Sequence, residues 1–474
     1  MKSLISFWLR QYLKQGRLIV IYILALLLFL LNAYIYASRW EEDQQSQSQR
    51  TRSLQEAYDS VGSPDDLAGS GFWLTMPVIP LRFIADNNLE EVPTRRVVTT
   101  RNAGLPATAE IHRQQITGLW DIDLAFIVGM IFSFLAIVLT FDAVSGERAQ
   151  GTLKMLLTTR VSRYQIVLSK FVAIVIALML PLLVGMLANF LLLNVFGVVS
   201  IDGGQIAILG LFFIFAVLLL SFFAALGILV SSLTRSSITS LVVLLLLWVL
   251  LVLVIPGASK PVAKEVVATM TPEEYSNTMA EINGNFLGEL KRTGAIDRAA
   301  AMARVDNFQF ERIWDGVMED FQGRRQSVID SHIRSSYNQS ETAALAGRLS
   351  PNVLFKQAVS RLTGTDLAAV REFHRQAARF KQTLFSFLGA QDAQYVARNG
   401  NFDAKHDSAG LLHSDGRGYL SSNPLTAKIP RFEYRPSGLG ERIAGAMADV
   451  SALVVLVLVG VVLGVFAFNR YDVR

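Results

Sequence analysis

The sequence predicts an all-α membrane protein with six transmembrane helices, both termini cytoplasmic, and two extracytoplasmic inserts, the second a mainly helical domain. Of its 474 residues, 52% are hydrophobic and only 18% are charged, which is too apolar for an ordinary soluble protein of this size. Six windows are apolar over roughly the 20 residues that a helix needs to cross a bilayer. Lys and Arg concentrate in the short segments on one side of these windows.

The predicted boundaries follow from the apolar windows. The first window has no small-x-small cleavage site directly after it, so we expect a retained span and not a signal peptide. The six spans are assigned to 17–37, 122–141, 171–195, 206–230, 238–255 and 450–468. Around them we place an interfacial helix at 1–16, the first extracytoplasmic insert at 38–121, a cytoplasmic loop at 142–170, the second extracytoplasmic domain at 257–449 and a tail at 469–474.

The orientation follows from the basic residues in the short segments, which are expected on the cytoplasmic side. The only short loop of the opposite side, 198–205, carries Asp202 and no basic residue. Both termini are therefore predicted to be cytoplasmic. The basic residues that fall on that side are Lys2, Arg10, Lys14, Arg17, Arg148, Lys154, Arg160, Arg163, Lys170, Arg235, Arg470 and Arg474.

Residues 1–16 have a two-faced helical pattern. Apolar side chains recur at helical spacing, and basic side chains lie on the opposite face, which is typical of a helix in the membrane interface. We expect Trp8, Arg10 and Lys14 to be at that interface. The alternative is a frayed cytoplasmic tail. The apolar face comprises Ile5, Trp8, Leu9 and Tyr12, and the basic face comprises Arg10, Lys14 and Arg17.

The loop at 142–170 is the largest segment between spans that is available to a cytoplasmic partner. Gly146 and Gly151 bracket a polar piece, and Thr152 can cap a short helix over 153–157. We expect a re-entrant pair of short helices at the inner face of the membrane. Because both ends are fixed in spans, such a loop can transmit a push, although it can equally serve as a simple connection.

Helix start and end signals mark several other elements. Ser162 and Gln165 form a capping box before the third span. Thr271, followed by a proline, predicts the start of a helix in the second insert. Another helix there is predicted to be capped by Thr365 and to end at Gly389.

Aromatic and polar side chains at three places have two interpretations each. Phe72, Trp73 and Leu74 can form the core of the first insert or rest on the membrane surface, and we prefer the core. Asn189 and Asn194, in the third span, are expected to form hydrogen bonds between helices and not to contact a substrate.

The interior of the predicted spans contains no Asp, Glu, Lys, Arg or His. Ion-coupled carriers and pumps ordinarily need a buried ionisable group, so the sequence disfavours this class. The energy for any transport must then come from outside the chain.

The chain also lacks the motifs of common catalytic sites. It has no G-x-x-x-x-G-K-[ST], H-E-x-x-H or G-x-S-x-G in the required context, and no cysteine. We therefore assign no catalytic site, no metal and no nucleic-acid partner. A cluster at Asp403, His406, Asp407 and His413 can ligate a metal, but a solvated charge cluster is preferred.

The loop after the second span also carries a family likeness. Its spacing resembles the signature cytoplasmic loop of ABC-2 type permeases, the membrane subunits of ATP-binding-cassette exporters. Arg160 stands where that pattern usually has proline. The residues that carry the likeness are Asp142, Ser145, Gly146, Glu147, Arg148, Gly151, Thr152, Leu153, Leu156 and Leu157, followed by Val161, Ser162, Arg163 and Lys170.

Other segments are similar to one subgroup of that family. Ser350-Pro351, the run 362–366 and the closing residues 469–474 resemble the permeases of gliding-motility and copper-enzyme-maturation systems. The likeness covers nearly the whole chain and is weakest over 39–120.

The resemblance implies a non-enzymatic half-transporter of the bacterial cytoplasmic (inner) membrane. It implies a second copy of this permease or a related one, and a cytoplasmic ABC ATPase dimer that holds ATP and Mg, so that this chain binds no cofactor. The loop would be the coupling helix, with Glu147 offering a charge to the ATPase and the leucines filling its groove. The implied coupling residues are Glu147, Arg148, Gly151, Thr152, Leu153, Leu156 and Leu157.

Three functions remain open at this point. The first is export of an unidentified lipid-like, peptide-like or polymeric substrate. The second is mechanotransmission, in which ATP turnover reshapes the outer domain to regulate an extracytoplasmic protein and no cargo moves. The third is a membrane receptor without an ATPase.

Overall fold

The computed structural model describes residues 1–13, 16–63, 66–67, 70–86, 94–99, 122–152, 161–292, 308–399, 425 and 427–470. Over these residues the chain is mostly helical, and six helices are long and apolar enough to cross a membrane. The predictions of a mainly helical class and of six such helices are confirmed for this part of the chain. The six are Tyr22–Asp59, Leu124–Ala149, Arg163–Val195, Gly203–Leu233, Ser237–Val266 and Leu439–Asn469.

The chain forms twelve helices and two strands over the residues that the structure describes, apart from one short 3-10 helix at Pro80–Phe83. Single π-helical stretches interrupt α3, at Ile127–Phe132, and α7, at Val249–Val254. The elements are α1 (Lys2–Leu13), α2 (Gly16–Asp59), β1 (Gly71–Thr75), β2 (Arg95–Thr99), α3 (124–140), α4 (Ser145–Ala149), α5 (Arg163–Val195), α6 (Gly203–Leu233), α7 (Ser237–Val266), α8 (Pro272–Arg292), α9 (Phe308–Gly347), α10 (Pro351–Thr363), α11 (Leu367–Asn399) and α12 (Leu439–Asn469).

The membrane-type helices pack through small residues that let their backbones approach closely. A Cβ added at Gly185 of α5 would collide with the Phe29 ring of α2, and one at Gly227 of α6 would collide with Thr140 of α3. Asn189 donates hydrogen bonds of 2.7 Å to the Phe29 carbonyl and to Asn32, so the interhelical role predicted for it is confirmed.

The prediction for Asn194 is wrong. Its side chain donates to the carbonyl of Val199, at 2.9 Å, in the turn that directly follows α5. The amide satisfies a carbonyl of a tight turn, where the backbone has no helical partner, and does not reach another helix.

Helix α10 belongs by sequence to the second insert, yet its apolar face packs into the core of the membrane-type helices. The Phe355 ring lies 6.0 Å from that of Phe212 in α6, measured between ring centroids. The Ser350 hydroxyl, at the start of α10, donates to the carbonyl of Leu251 in α7, at 2.5 Å. Helix α10 therefore connects the insert to the helix bundle.

Segments of both inserts share a second core, which we call the insert core. It comprises the end of α2, the β hairpin, α11 and the segment 427–434. Tyr58 stacks on Phe72 with ring centroids 4.6 Å apart, and the Tyr58 hydroxyl accepts a hydrogen bond of 3.1 Å from the backbone N–H of Phe432. Segments from both inserts therefore contribute to one hydrophobic core.

The β hairpin is an exception to the predicted all-α class. β1 and β2 pair antiparallel, with Gly71 opposite Thr99. Alternation along β1 turns Phe72 and Leu74 into the insert core and leaves Trp73 exposed. The preferred interpretation of this stretch as core is correct for Phe72 and Leu74 and wrong for Trp73.

The predicted helix starts have mixed outcomes. Thr271 caps α8, since its hydroxyl accepts from the Glu274 N–H and its own N–H donates to the Glu274 carboxylate. Ser162 precedes α5 in extended conformation, but its side chain makes no capping hydrogen bond, because the Gln165 N–H is satisfied by the Ser162 carbonyl. The capping box predicted there is wrong.

The cap and the end predicted for α11 are also wrong. The Asp366 carboxylate accepts from the Ala369 N–H, whereas the Thr365 hydroxyl donates to the carbonyl of Ala85. A carboxylate is a strong N-cap, which favours Asp366. The helix continues past Gly389 to Asn399, so this glycine does not end it.

Candidate functional site

The loop between α3 and α5 begins with the short helix α4, which ends at Ala149. Gly151 then adopts a left-handed conformation, with φ of +73°, that a residue with a side chain adopts only at a cost. The predicted short helix over 153–157, with Leu153, Leu156 and Leu157, lies outside the described residues. Lys14 of the N-terminal segment does so as well.

The start of α4 is held by α6 and α7. The Ser231 hydroxyl of α6 accepts hydrogen bonds of 3.0 Å from the backbone N–H groups of Val144 and Ser145. These donors have no partner inside a helix that starts here, so a side chain from another helix satisfies them. Ser145 also contacts the Ser237 hydroxyl of α7, at 3.3 Å.

The middle of α4 is held by an ion pair with α5. Lys170 Nζ lies 2.6 Å from Glu147 Oε2, and the Lys170 side chain is only 2% exposed, while that of Glu147 is 19% exposed. Lys170 Nζ also donates to the carbonyl of Ala143, at 2.5 Å. A buried ion pair needs both of its members, because removing Lys170 or Glu147 leaves the other as an uncompensated charge in a medium of low dielectric constant.

Helix α1 covers this ion pair. Lys170 Nζ stands 4.3 Å from the centroid of the Trp8 ring, within the range of a cation–π interaction. Tyr12 is buried one turn further along. Burial, followed by the nearby carboxylates of Asp142 and Glu147, raises the pKa of Tyr12 above its ordinary value. Tyr12 therefore stays neutral and packs as an apolar group.

These contacts fix the position of α1 on the protein. Trp8 and Tyr12 are turned toward the helix bundle, while Arg10 is exposed. The predicted apolar face thus contacts protein, since Ile5 and Leu9 are partly buried against the same core. The interfacial role of Trp8, Arg10 and Lys14 stays a prediction.

The exposed surface of the described loop is small and polar. Arg148 donates to the Thr234 carbonyl at the end of α6, at 3.4 Å, and Thr152 donates to the Glu147 carbonyl, at 3.2 Å. Ala149, Gln150 and the two residues that follow are exposed. Of the predicted coupling residues, the structure thus brings Glu147 to the bundle and leaves Gly151 and Thr152 on the surface.

The same end of the bundle contains the last turn of α12. Arg163, at the start of α5, donates a hydrogen bond of 3.0 Å to the carbonyl of Asn469. Six elements therefore meet around α4: α1, α3, α5, α6, α7 and α12. In the part of the loop that the structure describes, these contacts link an exposed segment to the helix bundle.

Sequence reasoning missed the residues that anchor α4. The sequence marks Lys170 as a basic flank and as part of the family motif but not as a partner of Glu147, and it singles out neither Ser231 nor Ser237. A lysine at the boundary of an apolar window was the one available signal, because such a charge needs a partner.

A metal centre is not formed by the residues that the structure covers, which hold no group of three or more His, Cys, Asp or Glu side chains in suitable positions. The cluster of Asp403, His406, Asp407 and His413 falls in the part of the chain that is not described.

Comparison with known proteins identifies the family. The model of the ABC-2 family transporter protein matches residues 9–473, nearly the whole chain. No curated protein matches this sequence. The match agrees with the six apolar helices and with the loop motif around α4, and the chain belongs to the ABC-2 transporter family of membrane proteins.

Proposed function

We propose that the chain is the permease subunit of an ABC exporter and that a separate cytoplasmic ATPase drives it through α4 and the loop that follows. Membership of the ABC-2 family implies association with an ABC ATPase. ATP and Mg would be bound by that ATPase dimer, and the permease would pair with a second copy or with a related permease. The cargo is an unidentified substrate.

The observation that carries the proposal is the buried pair of Glu147 and Lys170 beneath Trp8. A force applied to α4 reaches α5 through this pair and α1 through the Trp8 ring. It reaches α6 and α7 through Ser231 and Ser237. Because packed interfaces shift as units and do not deform continuously, a displacement of α4 moves several spans together.

The position of α4 supports a cytoplasmic assignment of this end of the bundle. Arg148 donates a hydrogen bond to the carbonyl of Thr234, which is next to Arg235. Arg163 donates one to the carbonyl of Asn469, which is next to Arg470. Basic side chains of four separate segments thus cluster around α4, as expected for a cytoplasmic face. Both termini would then be cytoplasmic, the inserts extracytoplasmic, and the membrane the bacterial inner membrane.

The test is ATP hydrolysis by the permease reconstituted with its ATPase in proteoliposomes. E147K and K170E are each expected to abolish most of the stimulation of ATPase activity, because each places two like charges in contact in a buried site. The double variant E147K/K170E restores opposite charges and should recover a large part of it. E433K, at an exposed position of the insert, is the control and should hydrolyse ATP like the wild type.

Two outcomes would contradict the proposal. Single variants that insert normally and keep full stimulation would show that α4 does not couple. A double variant as inactive as E147K would show that Glu147 acts through a different partner, such as the ATPase surface. If the complex moves no solute and ATP protects residues 257–449 from protease, mechanotransmission is favoured over export.

A further inference from the structure

A cavity of about 660 Å³ lies at the end of the helix bundle remote from α4. Its walls come from both parts of the protein. The N-terminal parts of α6 and α12 contribute Gln205 and Gly445, and the insert contributes Leu367 and Tyr434. The segment 77–81, which enters a 3-10 helix at Pro80, closes one side. This volume is in the range of small-molecule and cofactor sites.

The charged side chains of the cavity are mostly committed to each other. Arg371 pairs with Glu341 at 2.5 Å. Arg361 lies 2.9 Å from the buried carboxylate of Asp449 and 4.0 Å from Asp366. Each charged side chain of the lining named so far therefore has an opposite charge beside it within the protein: Glu341, Arg361, Asp366 and Arg371.

Two adjacent side chains remain, Glu441 and Arg442. Neither forms an ion pair with any residue that the structure describes, and Arg442 makes only a long hydrogen bond of 3.4 Å to the Thr363 carbonyl. The Arg442 guanidinium rests on Gly364, where an added Cβ would come within 2.9 Å of its central carbon. The cavity therefore presents one uncommitted cation beside one uncommitted anion.

The surfaces beside the cavity are apolar and suit the acyl chain of a lipid. The segment 77–81 reads Pro-Val-Ile-Pro-Leu and gives the cavity an apolar wall. Beside the lining residues, on α6 and α12, Ile206 and Met447 are 51% and 49% exposed on helices that are apolar enough to lie in a membrane. A lipid whose acyl chain lies against these helices would place its polar headgroup in the cavity.

We propose that this cavity binds the zwitterionic headgroup of a membrane amphiphile, with the anionic group at Arg442 and the ammonium group at Glu441. Arginine recognises phosphate through paired hydrogen bonds. Glu441 accepts from an ammonium group, which distinguishes phosphoethanolamine from a headgroup that carries only the negative charge. Binding requires no ATPase, so the proposal stands or falls separately from the coupling function.

The experiment is calorimetric titration of the purified full chain in detergent. The probes are dihexanoyl phosphatidylethanolamine, dihexanoyl phosphatidylglycerol and inorganic phosphate. The wild type is expected to bind the ethanolamine lipid, the glycerol lipid more weakly, and phosphate not measurably. R442Q should weaken binding of the ethanolamine lipid by about tenfold or more, as expected for a lost charge-assisted hydrogen bond.

E441Q supplies the second, independent variant, since its exposed side chain leaves the fold intact. It should remove the preference for the ethanolamine lipid and retain binding of the glycerol lipid. R435Q removes an exposed arginine outside the cavity and should bind like the wild type.

Three results would overturn the proposal. The first is equal affinity of the wild type, R442Q and E441Q for the ethanolamine lipid. The second is phosphate binding as tight as that of the lipid, which would indicate a site for small anions. The third is displacement of the lipid by zwitterionic dialanine, which would indicate a peptide site.

Discussion

Lys170 packs as part of an apolar helix and also forms a buried ion pair, and its position in the sequence does not indicate the ion pair. Its stem belongs to an apolar helix, while its ammonium group joins Glu147, the Ala143 carbonyl and the Trp8 ring. The charge is thereby satisfied inside the protein, and α1, α4 and α5 are held in one arrangement. Glu147, expected from the family likeness to face the ATPase, has its carboxylate turned to Lys170.

Ser231 provides a prediction at the residue scale. S231A removes the acceptor of two buried N–H groups at the start of α4, which should destabilise that turn by about 1–3 kcal/mol for each group left without a partner. We expect lower ATPase stimulation in the reconstituted complex and faster hydrogen exchange at residues 144 and 145.

Ser232 is the matched control for this prediction. It is also buried in α6, but its hydroxyl donates only to the Ile228 carbonyl of its own helix. S232A should therefore retain wild-type stimulation and exchange. Equal effects of S231A and S232A would contradict the anchoring role of Ser231.

At this scale the sequence directs attention to the loop but does not predict the contacts that hold α4. The loop motif directed attention to Glu147, Arg148, Gly151 and Thr152 because these residues are close in sequence. Lys170 and Ser231 contact α4 from other helices, across 23 and more residues of chain, and no local pattern encodes such pairs. They follow only from the packing of α5 and α6 against α3.

At the scale of elements, close helix contacts through glycine hold the bundle. In a membrane, packing between helices is not driven by the hydrophobic effect, so backbone approach and shape complementarity decide it. Gly227 lets α6 approach Thr140 of α3, directly before the turn that leads to α4. The geometry of α4 therefore depends on this contact.

Gly227 and Gly210 give a matched pair on the same helix. G227A would place its Cβ against Thr140 and should destabilise the protein by about 1–3 kcal/mol, as overpacking does. No heavy atom lies within 4 Å of an added Cβ at Gly210, so G210A should be neutral or slightly stabilising. Thermal unfolding in detergent measures both variants, and a lower midpoint for G210A than for G227A would contradict the packing.

The elements that the sequence predicted well are those with a strong apolar signal. All six apolar windows are helices in the structure, and every one of these helices except α3 extends beyond its window. Helix α10 was not assigned to the bundle, because its pattern of Leu354, Phe355, Ala358 and Val359 is that of any amphipathic helix. Which surface covers such a face depends on the tertiary structure and not on the local sequence.

At the scale of the whole molecule, one buried carboxylate joins the insert to the last span. Asp449 of α12 lies 3.0 Å from Arg348, at the end of α9, and 2.9 Å from Arg361 of α10. The other end of α12 contacts Arg163 beside α4. Helix α12 is thus fixed at both ends and connects the surroundings of α4 with the insert.

D449N tests this connection. It leaves two arginines around a neutral, buried side chain, which should destabilise the protein by roughly 3 kcal/mol. We expect a lower unfolding midpoint and faster proteolysis within 257–438. E433Q, which removes a carboxylate from an exposed pair, should change neither property, because surface ion pairs contribute little. Unaltered proteolysis of D449N would show that the pair does not hold the insert.

The shared core of the two inserts was beyond sequence reasoning. Tyr58 and Phe432 are separated by most of the chain, and each insert on its own reads as an independent lobe. Only the return of α2 and α12 to the same end of the bundle brings these segments together.

The most direct test of the coupling role of α4 uses the absence of cysteine from the chain. A149C places a single thiol on the exposed face of α4, and L349C places one on the exposed surface next to α10. Each is labelled with a benzophenone maleimide in inverted membrane vesicles that contain the complex, and illuminated with and without ATP. We expect A149C to be labelled from the cytoplasmic side and to cross-link to a protein that hydrolyses ATP, and we expect L349C not to cross-link to that protein. Cross-linking of that protein to L349C and not to A149C, or labelling of A149C only from the opposite side, would contradict the coupling role of α4.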